Sequence, residues 1–195
     1  MPDYQRQGPL DHLGLAAKVS TDRDTGITLK LLPIYEIFEI RCKWSNRFAK
    51  SVKEIAGFAP PTTSPNSTKS DNLTIFWMGP DRWWLVGYGG HLCTVNELQI
   101  NLSTLTATIV KVGESFAAID VSGPYAKSVL TKGCSIDLDP NHFLVGHVTQ
   151  TNLAKAQITL HQSNKNEYKI FVRRSFTEYL WTWLEDASLE YRSTI

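Results

Sequence analysis

Two tryptophans in direct succession, Trp83-Trp84, stand in the strand-like run Trp83 to Val86. Successive side chains on a strand leave opposite faces of the sheet, so the two indoles cannot enter one core layer. A buried aromatic removes about 150–250 Å² from water. At ~25 cal/mol per Å² that is roughly 4–6 kcal/mol, an upper bound because the unfolded chain is not fully extended. One of the two must therefore approach a second lobe or the surface, and Trp181-x-Trp183 raises the same question. Burial between lobes and burial against a partner subunit answer it equally well.

The elements around these residues alternate. Residues 1 to about 30 are polar and weakly periodic, and read as an extended arm. Ile34 to Cys42 suits a largely buried strand. A helix follows, with Ser45 as N-cap, Phe48, Val52, Ile55 and Ala56 on one face, and Gly57 as its stop. Pro60 to Asn72 holds three prolines among small polar residues and reads as a loop. Leu73 to Met78 and Trp83 to Val86 form a hairpin across Gly79-Pro80-Asp81. Leu92, Val95, Leu98 and Leu102 return weakly to helical spacing. Strands are then expected at Thr106–Val112 and Phe116–Val121, joined by Gly113-Glu114.

Gly123-Pro124 opens a short helix with Ala126, Val129 and Leu130 inward, and three strand-like runs follow near His147–Leu153, Gln157–His161 and Tyr168–Val172. At the last helix Ser175 and Glu178 form a capping-box pattern. Phe176, Tyr179, Leu180, Trp183, Leu184 and Ala187 make one apolar stripe there. Trp181 falls on the flank with Thr177 and Glu185. Helices alternate with hairpin-paired strands, which favours an α+β architecture of two ferredoxin-like lobes over a doubly wound parallel sheet. The division expected is an arm over 1–30, a first α+β lobe over 31–104 and a second over 105–195 ending in the helix.

Charge and cysteine usage narrow the function classes. Twenty basic against nineteen acidic residues leave a net charge of +1, without the basic excess of a nucleic-acid surface. The densest basic cluster is Arg173-Arg174, read as surface charge or partner contacts. Three cysteines, Cys42, Cys93 and Cys134, include no C-x-x-C pair and read as reduced thiols. The first residues show no apolar signal-peptide region and no run suggests a membrane span. A cytoplasmic protein is expected, with Asn66, Asn72 and Asn101 as chance sequons.

No catalytic constellation emerges. There is no G-x-S-x-G elbow, and His12, His91, His142, His147 and His161 sit in unrelated contexts. Cys134, His142 and His147 fall close together without a zinc spacing. Gly87-Tyr88-Gly89-Gly90 lacks the dinucleotide order, and SGPYAKS lacks the P-loop glycine-lysine pair. Asp137 and Asp139 ahead of Pro140 read as turn chemistry. The expected site set is therefore empty for catalysis, cofactor and metal. The candidate subunit interface is Trp83, Trp84, Trp181, Arg173 and Arg174.

Four blocks carry a resemblance. WMGPDRWWLV (Trp77–Val86), SGPYAKSVLTKGCSIDL (Ser122–Leu138), QTNLAKAQITLH (Gln150–His161) and VRRSFTEYLWTWLEDA (Val172–Ala187) stand in the order seen in gamma subunits of heterotetrameric sarcosine oxidase. The chain resembles that family from about residue 30 to 191. The resemblance implies a fold related to the folate-binding aminomethyltransferases of the glycine cleavage system. It also implies alpha, beta and delta partner chains. The assembly would demethylate sarcosine oxidatively to glycine and peroxide, passing the one-carbon unit to tetrahydrofolate. FAD, FMN and NAD would be held by alpha and beta and zinc by delta, with no catalytic residue to transfer onto this chain. A gamma-like chain of a related N-methyl amino acid dehydrogenase, such as N-methylglutamate dehydrogenase, and an autonomous folate-binding protein are the alternatives. Arg82, where relatives commonly carry Glu, and the polar loop at 60–72 depart from the pattern.

Overall fold

In the structure, a computed structural model that describes residues 10, 26–33, 36–70, 73–87, 99–100 and 102–192, strand alternation resolves the tryptophan problem inside the chain. In order, the elements are β1 (Thr28–Leu31), β2 (Glu36–Cys42), α1 (Asn46–Ala56), β3 (Ser67–Lys69), β4 (Leu73–Gly79), β5 (Arg82–Gly87), β6 (Ala107–Lys111), β7 (Phe116–Ser122), α2 (Ala126–Thr131), β8 (Val148–Leu153), β9 (Ala156–Asn164), β10 (Glu167–Arg173) and α3 (Thr177–Arg192). They build two five-stranded sheets, β3-β4-β5-β2-β6 and β1-β7-β10-β9-β8. The strand pairs are antiparallel.

Three apolar clusters fix four layers. Phe38, Ile40, Ile75, Trp83 and Leu85 leave the first sheet toward Phe48, Val52 and Ala56 of α1. Ile37, Phe76, Met78, Trp84 and Val86 leave its other face and meet Ala118, Val148 and Phe171 of the second sheet. The far face of the second sheet, with Ile119, Val121, Leu160 and Ile170, packs on Val129, Leu180 and Leu184 of α2 and α3. The order is α1, sheet, sheet, then α2 with α3. Alternation along β2 and β5 puts neighbouring residues into different clusters, as a sheet covered on both faces requires.

Each sheet contains a ferredoxin-like order. In the first, β4-β5-β2-β6 forms around α1, with β3 added at the edge. Ser45 caps α1 through an Oγ that accepts from the Phe48 N–H at 3.1 Å. Gly57 ends it at φ +82°, where its N–H reaches the Lys53 carbonyl. Helical residues at 99, 100 and 102 add a buried Leu102 to the same core; the rest of the expected 92–102 helix lies outside the described residues.

The second sheet closes differently. Its β9-β10-β7 core is completed by β1, pairing Thr28 with Ser122 and Leu31 with Ile119. The sequence division at 30 and 104 therefore cuts across both sheets. Thr28–Leu31 belongs to the second sheet, and β6, assigned to the second lobe, pairs with β2 of the first. The expected 106–121 hairpin does not form; a short 3-10 turn, Gly113–Ser115, carries the chain from one sheet to the other.

Two further local expectations change. Thr177, Leu180, Trp181, Leu184, Ala187 and Ser188 are the buried face of α3, while Phe176 and Tyr179 are exposed. The helix is thus rotated from the stripe read in sequence, with the small Thr177 and Ser188 fully buried on its inner face. Trp183 is half-buried against Gly133, where a Cβ would lie 2.6 Å from the indole. The loop at 60–72 is also more structured than its composition suggests. It contributes the edge strand β3, and the Pro61 carbonyl accepts the Trp83 Nε1–H at 2.8 Å.

Candidate subunit interface

The five interface candidates separate by burial. Trp83, Trp84 and Trp181 are 2%, 3% and 4% exposed within this chain, so none has surface to offer a partner. Trp83 packs on Phe48 with ring centroids 4.8 Å apart. Trp84 meets Phe116 at 4.8 Å and Phe171 at 6.4 Å between the sheets. Of the two readings of the pair, packing inside the chain is the one observed. Trp181 sits in the core beneath α3 with an indole N–H that meets no acceptor. That N–H costs about 1–3 kcal/mol, less than the roughly 4–6 kcal/mol its ring gains by burial.

The two arginines remain near the surface. Arg174 is half-buried in the 3-10 turn Arg174–Phe176 that leads into α3. Arg173, exposed at the end of β10, holds its guanidinium over the Phe116 ring, 4.6 Å from the centroid. It stands at the mouth of a cleft of about 260 Å³ where the inter-sheet layer meets solvent. Arg82, Trp84, Phe116, Gln150 and Thr159 help to line it.

Strand register builds this cleft. Glu39 lies opposite Trp84 across β2 and β5, and Arg173 lies opposite Phe116 across β10 and β7. Glu39 Oε2 accepts from Arg82 Nε and Nη2 at 3.0 and 2.7 Å and from Trp84 Nε1 at 3.2 Å. Its Oε1 accepts from Arg41 Nε at 2.6 Å. Burial raises the Glu39 pKa, but bonds from Arg82, Arg41 and Trp84 outweigh it and hold the carboxyl below its ordinary value. Gln150 Nε2 donates to the Met78 carbonyl at 3.1 Å, joining the second sheet to the first.

A second margin of the same layer is sealed. Ser67 Oγ donates to the Gly146 carbonyl at 2.6 Å and lies 3.3 Å from His161 Nε2. The hydroxyl has one proton, so Nε2 carries hydrogen and donates to it. Nδ1 then keeps a lone pair that meets no donor. Burial, with Lys169 and Lys69 adding to it, pushes the His161 pKa down to about 3, so the ring is neutral. It lies 4.7 Å from Phe76.

The remaining candidates for chemistry make local bonds. Asp139 and Asn141 take backbone bonds to Asp137 and Asp139 side chains, the turn expected there. His142 Nδ1 meets Asp137 Oδ2 at 2.5 Å; the bond raises the histidine pKa and lowers the aspartate's. His147 Nδ1 accepts from the Leu144 N–H. Cys42 and Cys134 are free thiols. Among the described residues no three His, Cys, Asp or Glu gather as a metal site, and no helix is long and apolar enough to cross a membrane. Phe116 and Gln150 were not legible as a site, since only the pairing of distant strands brings them into one cleft with Arg173.

Residues 44–190 match the model of the sarcosine oxidase gamma subunit family. The chain belongs to that family. It is 30% identical over 190 residues to the sarcosine oxidase subunit gamma of Corynebacterium sp. (strain U-96), spanning 95% of this chain and 91% of the relative. With the counterpart from strain P-1 it shares 26% over 191 residues, 96% and 92% of the two chains. A solved heterotetrameric sarcosine oxidase from Corynebacterium sp. U-96 contains a chain of the same fold. Its TM-score is 0.87 at 24% identity, over 97% of this chain and 98% of that one. Aminomethyltransferase T of the glycine cleavage system from Bartonella henselae shares the fold at TM-score 0.60 and 12% identity, over 82% of this chain and 45% of that one. The gamma subunit fold is thus related to the aminomethyltransferase fold expected from sequence.

Proposed function

We infer that this chain is a structural, non-catalytic gamma subunit of a heterotetrameric sarcosine oxidase. The observation that carries the reading is the match along nearly the whole length of both this chain and its curated relatives. Supporting it, the groups that attract attention as acids or bases are committed to structural bonds: Glu39 to two arginines, His161 to Ser67 and Asp137 to His142. In this reading alpha, beta and delta chains complete a cytoplasmic assembly. Sarcosine is demethylated to glycine on the flavin-bearing chains, with peroxide formed and the one-carbon unit passed to tetrahydrofolate. FAD, FMN and NAD belong to alpha and beta, and zinc to delta.

Co-expression with those chains tests the reading. The gamma chain is expected to co-elute with the flavin absorbance; a monodisperse monomer that ignores the flavin-bearing chains overturns it. The aminomethyltransferase likeness favours a second reading, an autonomous folate-binding protein. Calorimetry of the isolated chain with tetrahydrofolate separates the two, since only the second expects binding.

A further inference from the structure

We propose that the cleft at Arg173 receives the carboxylate of an Asp or Glu side chain from a partner subunit, an inference that rests on the subunit reading above. The charge balance of the cleft points to an anion. Arg82 and Arg41 share the single carboxylate of Glu39, and no described carboxylate pairs with Arg173. Its guanidinium instead lies over Phe116 at 4.6 Å. A cation–π contact of this kind uses none of the guanidinium's five N–H donors as a conventional hydrogen bond, so a planar fork remains for a bidentate carboxylate. The aromatic contact also holds the side chain in place, so less rotamer freedom is lost when the acid arrives.

The surroundings favour an amino-acid side chain over a free metabolite. The cleft holds about 260 Å³, room for a short acidic side chain. Its floor is the end of the inter-sheet layer at Trp84 and Phe116, with the fully buried Phe171 beneath them. Thr159, 4% exposed, and Gln150 add neutral polar groups at the wall. A short acidic side chain can place its methylene carbons on that floor and its carboxylate at Arg173. The surrounding interface would exclude water and strengthen the pair.

The test uses the co-expressed assembly. Arg173→Glu is expected to weaken association of this chain by about thirtyfold or more, the cost of breaking a desolvated charge pair. Arg173→Lys, which keeps the charge and loses the fork, should fall between. Thermal melting of each variant chain, lowered by no more than the few degrees that loss of the exposed Phe116 contact allows, separates lost association from lost folding. Phenylglyoxal footprinting supplies a second readout: Arg173 should react in the salt-dissociated chain and be protected in the assembly. Equal association of Arg173→Glu and wild type, with the wild type assembling, overturns this proposal and spares the subunit reading. Failure of the wild type to assemble overturns both. Protection of Arg173 by sodium acetate but not by assembly would make the ligand a free carboxylate and also overturn it.

Discussion

The inter-sheet layer has two margins, and the chain treats them differently. At Ser67, Gly146 and His161 the polar groups are neutral and bond chiefly to one another across the sheets. At Glu39, Arg82 and Arg173 there is more positive charge than negative, and a cleft remains. Between them lies one apolar cluster including Phe76, Trp84 and Phe171. The difference teaches that burial alone does not close a layer. Where the polar groups are neutral and bonded within the chain, even with the His161 Nδ1 lone pair unmet, the margin closes, and where charge is left over it stays open to another molecule.

The harshest way to break this comparison is to remove what the margins share. Trp84→Ala should cost about 3–5 kcal/mol, read as a Tm fall on the order of 10 °C for a chain of this size. A loss below about 1 kcal/mol would mean that the sheets are held mainly at their edges. The sealed margin can be addressed alone by acid. Because the His161 pKa is depressed to about 3, the unfolded state binds its proton first as pH falls below about 6.5. Stability from this group is complete above that pH and declines toward pH 3. At pH 5 the expected loss is about 2 kcal/mol. Urea titrations at pH 7 and pH 5 should show His161→Phe losing that much less than wild type; equal losses would place the proton elsewhere.

The smallest effect belongs to the open margin. Glu39→Gln keeps an acceptor but removes the charge that Arg82 and Arg41 share. It should cost about 1–2 kcal/mol, measured by urea unfolding at neutral pH. The same change adds net positive charge to the mouth and should steepen the salt dependence of assembly. A salt response unaltered by Glu39→Gln would detach this carboxylate from the cleft's electrostatics.

How much of this was legible depended on whether the deciding partner was local. The cap at Ser45, the stop at Gly57 and the opposed faces of Trp83 and Trp84 follow from backbone geometry within a few residues, and each stands as read. Trp181 was misread because α3 carries large apolar residues on more than one face. Its buried face includes Thr177 and Ser188, small polar residues that carry no hydrophobic signal. The loop at 60–72 looked unstructured by composition, yet its Pro65 carbonyl accepts from the Val148 N–H of β8 and its Ser67 N–H donates to the Gly146 carbonyl just before that strand. The cleft lay beyond reach for the same reason, since strand register over long separations is absent from local pattern.

That long separation has a consequence for synthesis and engineering. β1 leaves the ribosome first and meets β7 only after some ninety further residues, Thr28 waiting for Ser122. Until then β1 is an unpaired strand, a template for unwanted pairing, and closing so large a loop slows folding. Because β6 is likewise lent in the other direction, no single cut between the sheets frees an intact half. A fusion or truncation that disturbs residues 28–31 should therefore injure the part of the molecule farthest away in sequence.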